Sequence, residues 1–447
     1  MTMMTRRISI PAAALGFTSR RPATLRFGPA RTLRHAAWRP TISASLISAI
    51  LVAMAMATSS IVFSEPAIAD ILMLGVIVGV PVLGVAKFGR VTMVNLCMWL
   101  AIIGLGLLGG TFAVTFKSAV MHQIVTLYLV LGAVVLAGYI AADAERRFRL
   151  VMVAYVVAAL VATVAGLVGY FRVFPSAFDL FTSFGRARGT FKDPNVYGAA
   201  IAPALVACAW MMLRENTQRA RIALVIAAPL MVGMLLCFSR GAWISLAVSF
   251  VLLATIAFTT SRRQTDMKRF RNFAIVGTSV TLLAIFAVLQ VGQVRDLLQE
   301  RASLDQSYDH GPEGRFGGQQ KARQLIIANP LGIGTHTFRE VHHKEEPHNA
   351  YLSLFLNAGW LGGLLYIVSV VATLAAGIRG ALQRTALQGP FLVAVAAFAG
   401  VAVEGAVIDS EHWRSFFILM ACVWGLADAP RPVADPSRRR EDRRSAA

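Results

Sequence analysis

His348 stands in Pro347-His348-Asn349, at the mouth of an apolar run that continues through Ala358 to Gly359-Trp360-Leu361-Gly362. Imidazole ionises closest to neutrality, so a fixed histidine beside water suits proton transfer. If the run is helical, at about 3.6 residues per turn, His348, Gly359 and Gly362 share one face. Small residues on that face let a neighbouring helix come close. A second group is cationic. Arg186, Arg188 and Lys192 gather in the stretch from Phe184 to Asn195, just ahead of another apolar run. Planar guanidinium forks match phosphate oxygens, and Gly185 and Gly189 allow the backbone to turn tightly. Asp193-Pro194-Asn195 carries a capping residue and a first-turn proline, the pattern of a helix start. Arg240, in Ser239-Arg240-Gly241, lies in a very short turn between two apolar runs. It either snorkels to an interface or holds an anion.

Other polar residues have weaker patterns. Arg295, Arg301, Arg315, Lys321, Arg323, Arg339 and Lys344 share one long polar stretch with acids. Within it, Asn329-Pro330-Leu331-Gly332-Ile333-Gly334-Thr335-His336 is a breaker-rich turn. His342, His343 and His348 lack the accompanying spacing of a metal site, so no metal and no cofactor is expected. Glu404 lies toward the outer end of an apolar run, where it orients a histidine, pairs an arginine or forms a structural ion pair, and Asp409 and Glu411 follow that run. Cys97, Cys208, Cys237 and Cys422 all lie inside apolar runs and are expected to be packing residues.

The elements that must position these groups are membrane helices. Hydrophobic residues make up 56% of the chain, charged residues 15%, and mean hydropathy is +0.63. The backbone can satisfy itself in lipid as helices, and the alternation of a β-barrel is missing. Twelve spans are expected near 41–64, 66–86, 91–110, 119–142, 150–171, 196–213, 221–238, 241–259, 273–293, 350–376, 390–408 and 412–427. Alternate connections are rich in arginine and lysine, which places both termini in the cytoplasm. The formal net charge of +20 is explained by this bias, so no nucleic-acid partner is inferred. Residues 1–40 read as a basic cytoplasmic tail, 41–427 as the membrane domain and 428–447 as a second basic tail. Residues 172–195 and 294–347 are then long outer connections, and a loop of the second length is usually functional.

Residues 60 to 427 resemble the O-antigen ligase family of bacterial membrane glycosyltransferases, which includes related polysaccharide polymerases. The likeness rests on His348-Asn349 with Gly359 and Gly362, on Arg188 through Asn195, and on Ser239-Arg240-Gly241. It implies an all-α integral membrane protein of about twelve transmembrane helices with a large periplasmic loop, GT-C-like. It also implies transfer of a glycan from an undecaprenyl-diphosphate-linked donor at the periplasmic face of the inner membrane. The acceptor is lipid A-core or a growing polysaccharide, and the family's pattern leaves ligase and polymerase open. His348 would be the catalytic base, and Arg186, Arg188, Arg240 and Asn349 would bind substrate. A multi-spanning transporter or lipid-linked glycan flippase is the competing reading, since twelve spans suit it as well.

Overall fold

The computed structural model describes residues 42–214, 217–261, 311 and 313–430, with isolated helical positions between 271 and 292. The basic tails 1–40 and 431–447, most of the expected span 273–293 and the loop residues 294–310 lie outside the described residues. The helices in chain order are α1 (Ile42–Ala57), α2 (Ile68–Val82), α3 (Arg90–Gly110), α4 (Phe116–Ala142), α5 (Ala144–Tyr170) and α6 (Ala177–Phe181). A two-stranded hairpin, β1 (Thr182–Ser183) and β2 (Arg186–Ala187), precedes α7 (Pro194–Arg214), α8 (Thr217–Leu236) and α9 (Arg240–Thr260). Then come α10 (Arg315–Ala328), a π-helical turn (Phe338–His342), α11 (Ala350–Leu382), α12 (Gln388–Glu404) and α13 (Arg414–Asp428).

Among the described residues, seven helices are long and apolar enough to cross a membrane: α3, α4, α5, α7, α8, α9 and α11. α1, α2 and α12 are shorter apolar helices. The expected spans at 41–64, 66–86, 390–408 and 412–427 each hold a helix, and the largest shortfalls are at the first two, where α1 ends at Ala57 and α2 at Val82. Every residue of Phe391–Ala402 and of Ser415–Leu426 is buried, so α12 and α13 are interior to the bundle. Irregular backbone at membrane depth is tolerated when protein or a wet cavity surrounds it.

An aromatic cluster ties α13 to its neighbours. Trp99 meets Tyr366 edge-on at 5.9 Å and Phe417 at 5.3 Å, and Phe398 lies 5.3 Å from Phe416. In lipid such contacts hold by packing rather than transfer from water. Each aromatic pair contributes about 0.5–1.5 kcal/mol beyond area burial.

The connections gather at two ends. At one end Arg147 donates to the carbonyls of Val85 and Tyr139 and lies 4.2 Å over the Tyr139 ring. Asp428 caps α3 there, accepting from Val91 N at 2.9 Å and Thr92 N at 2.8 Å. At the other end Thr190 Oγ1 donates to Ser60 O at 2.6 Å, Ala350 N to Gly405 O at 2.8 Å, and Arg414 grips Asp70 at 2.7 Å. Among the described residues, Arg186, Arg188, Arg240, His348 and Asn349 stand at this second end.

The expected continuous helical face through Gly359 is corrected. Gly359 has φ +69° and ψ −173°, which breaks α11 into two helical parts. The turn at Pro330-Leu331 fills the break, and Trp360 N donates to Pro330 O at 2.9 Å. A Cβ at Gly359 would lie 2.5 Å from Pro330 O, so glycine is required by both conformation and space. The breaker-rich turn thus packs into α11 rather than standing as a plain connection. A Cβ at Gly362 would lie 2.3 Å from that of Ala358, across the break, with Leu105 of α3 at an ordinary 3.7 Å, so the glycine serves the break rather than a close helix approach.

Candidate active site

Asn349 is the N-cap of α11. Its Oδ1 accepts from Tyr351 N and Leu352 N at 3.1 Å each, and its Nδ2 donates to Ala406 O at 2.8 Å. Those bonds fix the start of the helix against the loop 405–413. The side chain expected to touch substrate is therefore committed to backbone groups. His348, one residue earlier, has φ +50°, a left-handed conformation uncommon outside glycine. The cap and this backbone setting aim its ring.

Both ring nitrogens meet carboxylates. Nδ1 lies 3.3 Å from Asp409 Oδ2, and Nε2 lies 2.9 Å from Glu345 Oε2. Asp409 is itself held, its Oδ1 accepting from Asn349 N at 3.1 Å and Ser353 Oγ at 3.0 Å. The hydrogen bond to Asp409 raises the imidazole above its ordinary value; burial opposes this, and Glu345 adds to it. Arg315, at the first position of α10, acts electrostatically in the opposite sense. Burial, with Asp409 beside it, pushes the Glu411 carboxyl up.

The expected arginines divide. Phe184 and Gly185, with φ +52° and +70°, form the tight turn of the hairpin. That pattern suits the twist of two short strands and delivers Arg186 inward. Arg186 is buried, donating from Nε to Cys237 O and from Nη2 to Asn195 Oδ1, each at 2.7 Å. It therefore ties the start of α7 to the turn that bears Arg240. Pro194 opens α7, and Asp193 Oδ1 accepts from Asn195 N at 2.7 Å, the helix start read from the sequence. Arg240 is the first residue of α9, half-buried, behind Ser239, whose Oγ accepts from Ala242 N at 3.3 Å. Glu404, fully buried, stands against Gly241, with Oε1 3.3 Å from where a Cβ would be. Arg188 turns away from this group: its Nη2 donates to the carbonyls of Leu180 at 3.2 Å and Asp179 at 3.4 Å.

A cavity of about 330 Å³ opens beside Asp409. Its apolar lining includes Ala158, Ala159, Val196 and Ile418, while Lys192, Asp193, His412 and Arg414 stand among its polar groups. His412 Nε2 is 2.9 Å from Thr126 Oγ1, and its ring lies 4.1 Å from that of His122. Burial, helped by His336, holds His412 down at about 4, so its ring is neutral near neutral pH. Among the described residues, no group of His, Cys, Asp or Glu is arranged to hold a metal ion.

Sequence reasoning gave Asp409 no specific role and passed over Glu345 and His412 altogether. The available signal for Asp409 was its place at the outer end of the eleventh expected span, the same end as His348. The two are some sixty positions apart in the chain, so spacing alone could not pair them.

The apolar helices point to a multi-pass membrane protein, and among the described residues the candidate site lies at one end of its bundle. Residues 222–367, about a third of the chain, match the family model described as O-Antigen ligase. Over this stretch the chain is similar to that family, the same family that its motifs resemble. Arg240, Glu345, His348, Asn349, Gly359 and Gly362 fall inside it; Arg186, Arg188 and Asp409 fall outside. No curated protein matches the chain. The matched family implies a glycosyltransferase-like ligase activity, with lipid-linked glycan and polysaccharide substrates in general.

Proposed function

We propose that the protein transfers a glycan from an undecaprenyl-diphosphate-linked donor to an acceptor hydroxyl, as an O-antigen ligase or a related O-antigen or exopolysaccharide polymerase. The acceptor is lipid A-core or a growing polysaccharide. The observation that carries this reading is His348 between Asp409 and Glu345, inside the family-matched stretch and at the bundle end where the arginines collect. We place this end at the periplasmic face of the inner membrane, with about twelve GT-C-like spans and both termini cytoplasmic. The support is the one-sided distribution of arginine and lysine in the short loops.

The acceptor oxygen attacks the anomeric carbon while the bond from that carbon to the diphosphate oxygen breaks, with inversion. The hydroxyl proton passes to His348 Nε2. The electron pair leaves with the diphosphate, whose developing charge Arg240 stabilises. Arg186 positions the Arg240 turn through Cys237 O. Asp409 keeps a proton on Nδ1, so that Nε2 is the basic atom once the ring is neutral. The mixed apolar and charged lining of the neighbouring cavity suits a substrate that joins lipid to phosphate and sugar.

The test is transfer by purified protein in detergent, with lipid-linked donor and either acceptor class. His348→Ala should lower turnover roughly 10²- to 10⁴-fold, the range for one positioned acid–base group. Near-normal turnover in that variant excludes an essential base. Movement of the lipid-linked glycan across liposomes without transfer would favour the transporter class.

A further inference from the structure

A neutral imidazole has one N–H, so it can satisfy only one of the two carboxylates on His348. The other nitrogen would then set a lone pair against a carboxylate oxygen. The imidazolium satisfies both. A base, however, must offer a bare nitrogen. One of the two contacts therefore has to open before transfer begins, and the structure distinguishes them. Asp409 is anchored by Asn349 N and Ser353 Oγ. The Glu345 side chain is 69% exposed, and among the described residues His348 is its carboxylate's one hydrogen-bonding partner. It sits on the short segment between the π-helical turn and Pro347.

We propose that the Glu345 carboxylate occupies the place on His348 Nε2 that the acceptor hydroxyl must take, and keeps the ring protonated until the acceptor displaces it. This rests on the reading of His348 as the base. The proton balance closes without a further reagent. As the acceptor enters, the Nε2 proton passes to Glu345 Oε2 and from there to water. The exposed Nε2 lone pair then receives the acceptor's hydroxyl proton as the new glycosidic bond forms and the diphosphate departs. The charged groups that bear on the ring are Asp409 from the loop after α12, Glu345 from its own segment and Arg315 from α10, while Asp409 in turn acts on Glu411. Glu345 is thus a residue that competes with the acceptor and sets the pH at which the base becomes available.

Two measurements on the full-length protein test this. The first does not depend on transfer. Diethyl pyrocarbonate modifies unprotonated imidazole, and peptide mass mapping isolates the His348 adduct. In Glu345→Gln the midpoint of His348 modification against pH should fall by up to about one unit, since one carboxylate contact is lost at a partly exposed site. The alkaline plateau rate controls for altered reagent access. Glu345→Asp, which keeps the charge, should restore much of the wild-type midpoint. The second measurement is transfer at pH 6, relative to each protein's own alkaline plateau. Glu345→Gln should raise that ratio about three- to tenfold and lower the acceptor KM. An unmoved midpoint overturns the proposal, as does a pH 6 ratio equal to wild type. If neither protein transfers glycan, the proposed function fails while the modification midpoint still decides the Glu345 contact.

Discussion

Replacing Asp409 with asparagine isolates what the second carboxylate does for His348. The substitution keeps size and one acceptor oxygen but removes the charge. In wild type the carboxylate serves His348 Nδ1 at 3.3 Å, Asn349 N at 3.1 Å and Ser353 Oγ at 3.0 Å. An amide cannot serve all three. With its NH₂ toward Nδ1, the ring proton moves to Nε2 and the basic atom is lost. With its oxygen toward Nδ1, the NH₂ confronts the N–H of Asn349. A charge-assisted hydrogen bond contributes about 1.5–3 kcal/mol. The 3.3 Å separation and partial exposure of both side chains set this one near the lower bound, roughly tenfold in rate. A misdirected tautomer at a fully enclosed dyad costs up to about 10⁴; for this open site we expect a total loss of 10- to 10²-fold on the order given by both terms. The pH profile gives a second reading. Wild-type activity should fall as pH drops through the raised value of His348, because the base becomes protonated. Asp409 is the main cause of that elevation, so Asp409→Asn should move the acid limb toward lower pH. The assay is kcat/KM for the acceptor across pH, at saturating donor. Wild-type kinetics together with an unmoved acid limb would refute the orienting role.

Arg240→Ala should weaken donor use about 10- to 100-fold, the loss of one charge-assisted contact, and Arg240→Lys should recover only part of it because the planar fork is gone; full recovery by lysine marks an interfacial residue instead. Gly359→Ala should lower the Tm measurably, since φ +69° with ψ −173° is closed to alanine and the new Cβ would press on Pro330 O; the strain alone is about 1–3 kcal/mol, and an unchanged Tm argues against the docked turn. His412 is held at about 4, below its ordinary value, so the unfolded chain binds its proton first as pH falls. Stability should therefore decline between pH 6.5 and about 4, by at most about 1.4 kcal/mol per unit from this group, and His412→Gln should flatten that slope in a thermal-shift series.

Much of the scaffold could be read from the chain alone. Apolar runs of membrane-spanning length located every helix that the described residues contain at an expected span, because a backbone in lipid has few alternatives to the helix. Asp193-Pro194-Asn195 marked the start of α7, since capping is a local hydrogen-bond requirement. His348, Arg240 and Gly359 were visible by residue type and position, and the family match covers all three. Helix ends were less legible: α1 stops at Ala57 and α2 at Val82, short of the expected 64 and 86, because hydropathy reports an apolar run and not where its backbone leaves the helix. The break at Gly359 was hidden as well, because an apolar run signals its burial but not a positive φ. Nor could the sequence pair His348 with Asp409, or turn Arg188 toward the carbonyls of α6 while Arg186 is buried against Cys237. Local pattern reports the conformation a segment prefers; hydrogen bonds between distant segments form only when packing brings their ends together, and that packing decided which nitrogens and oxygens face one another at the site.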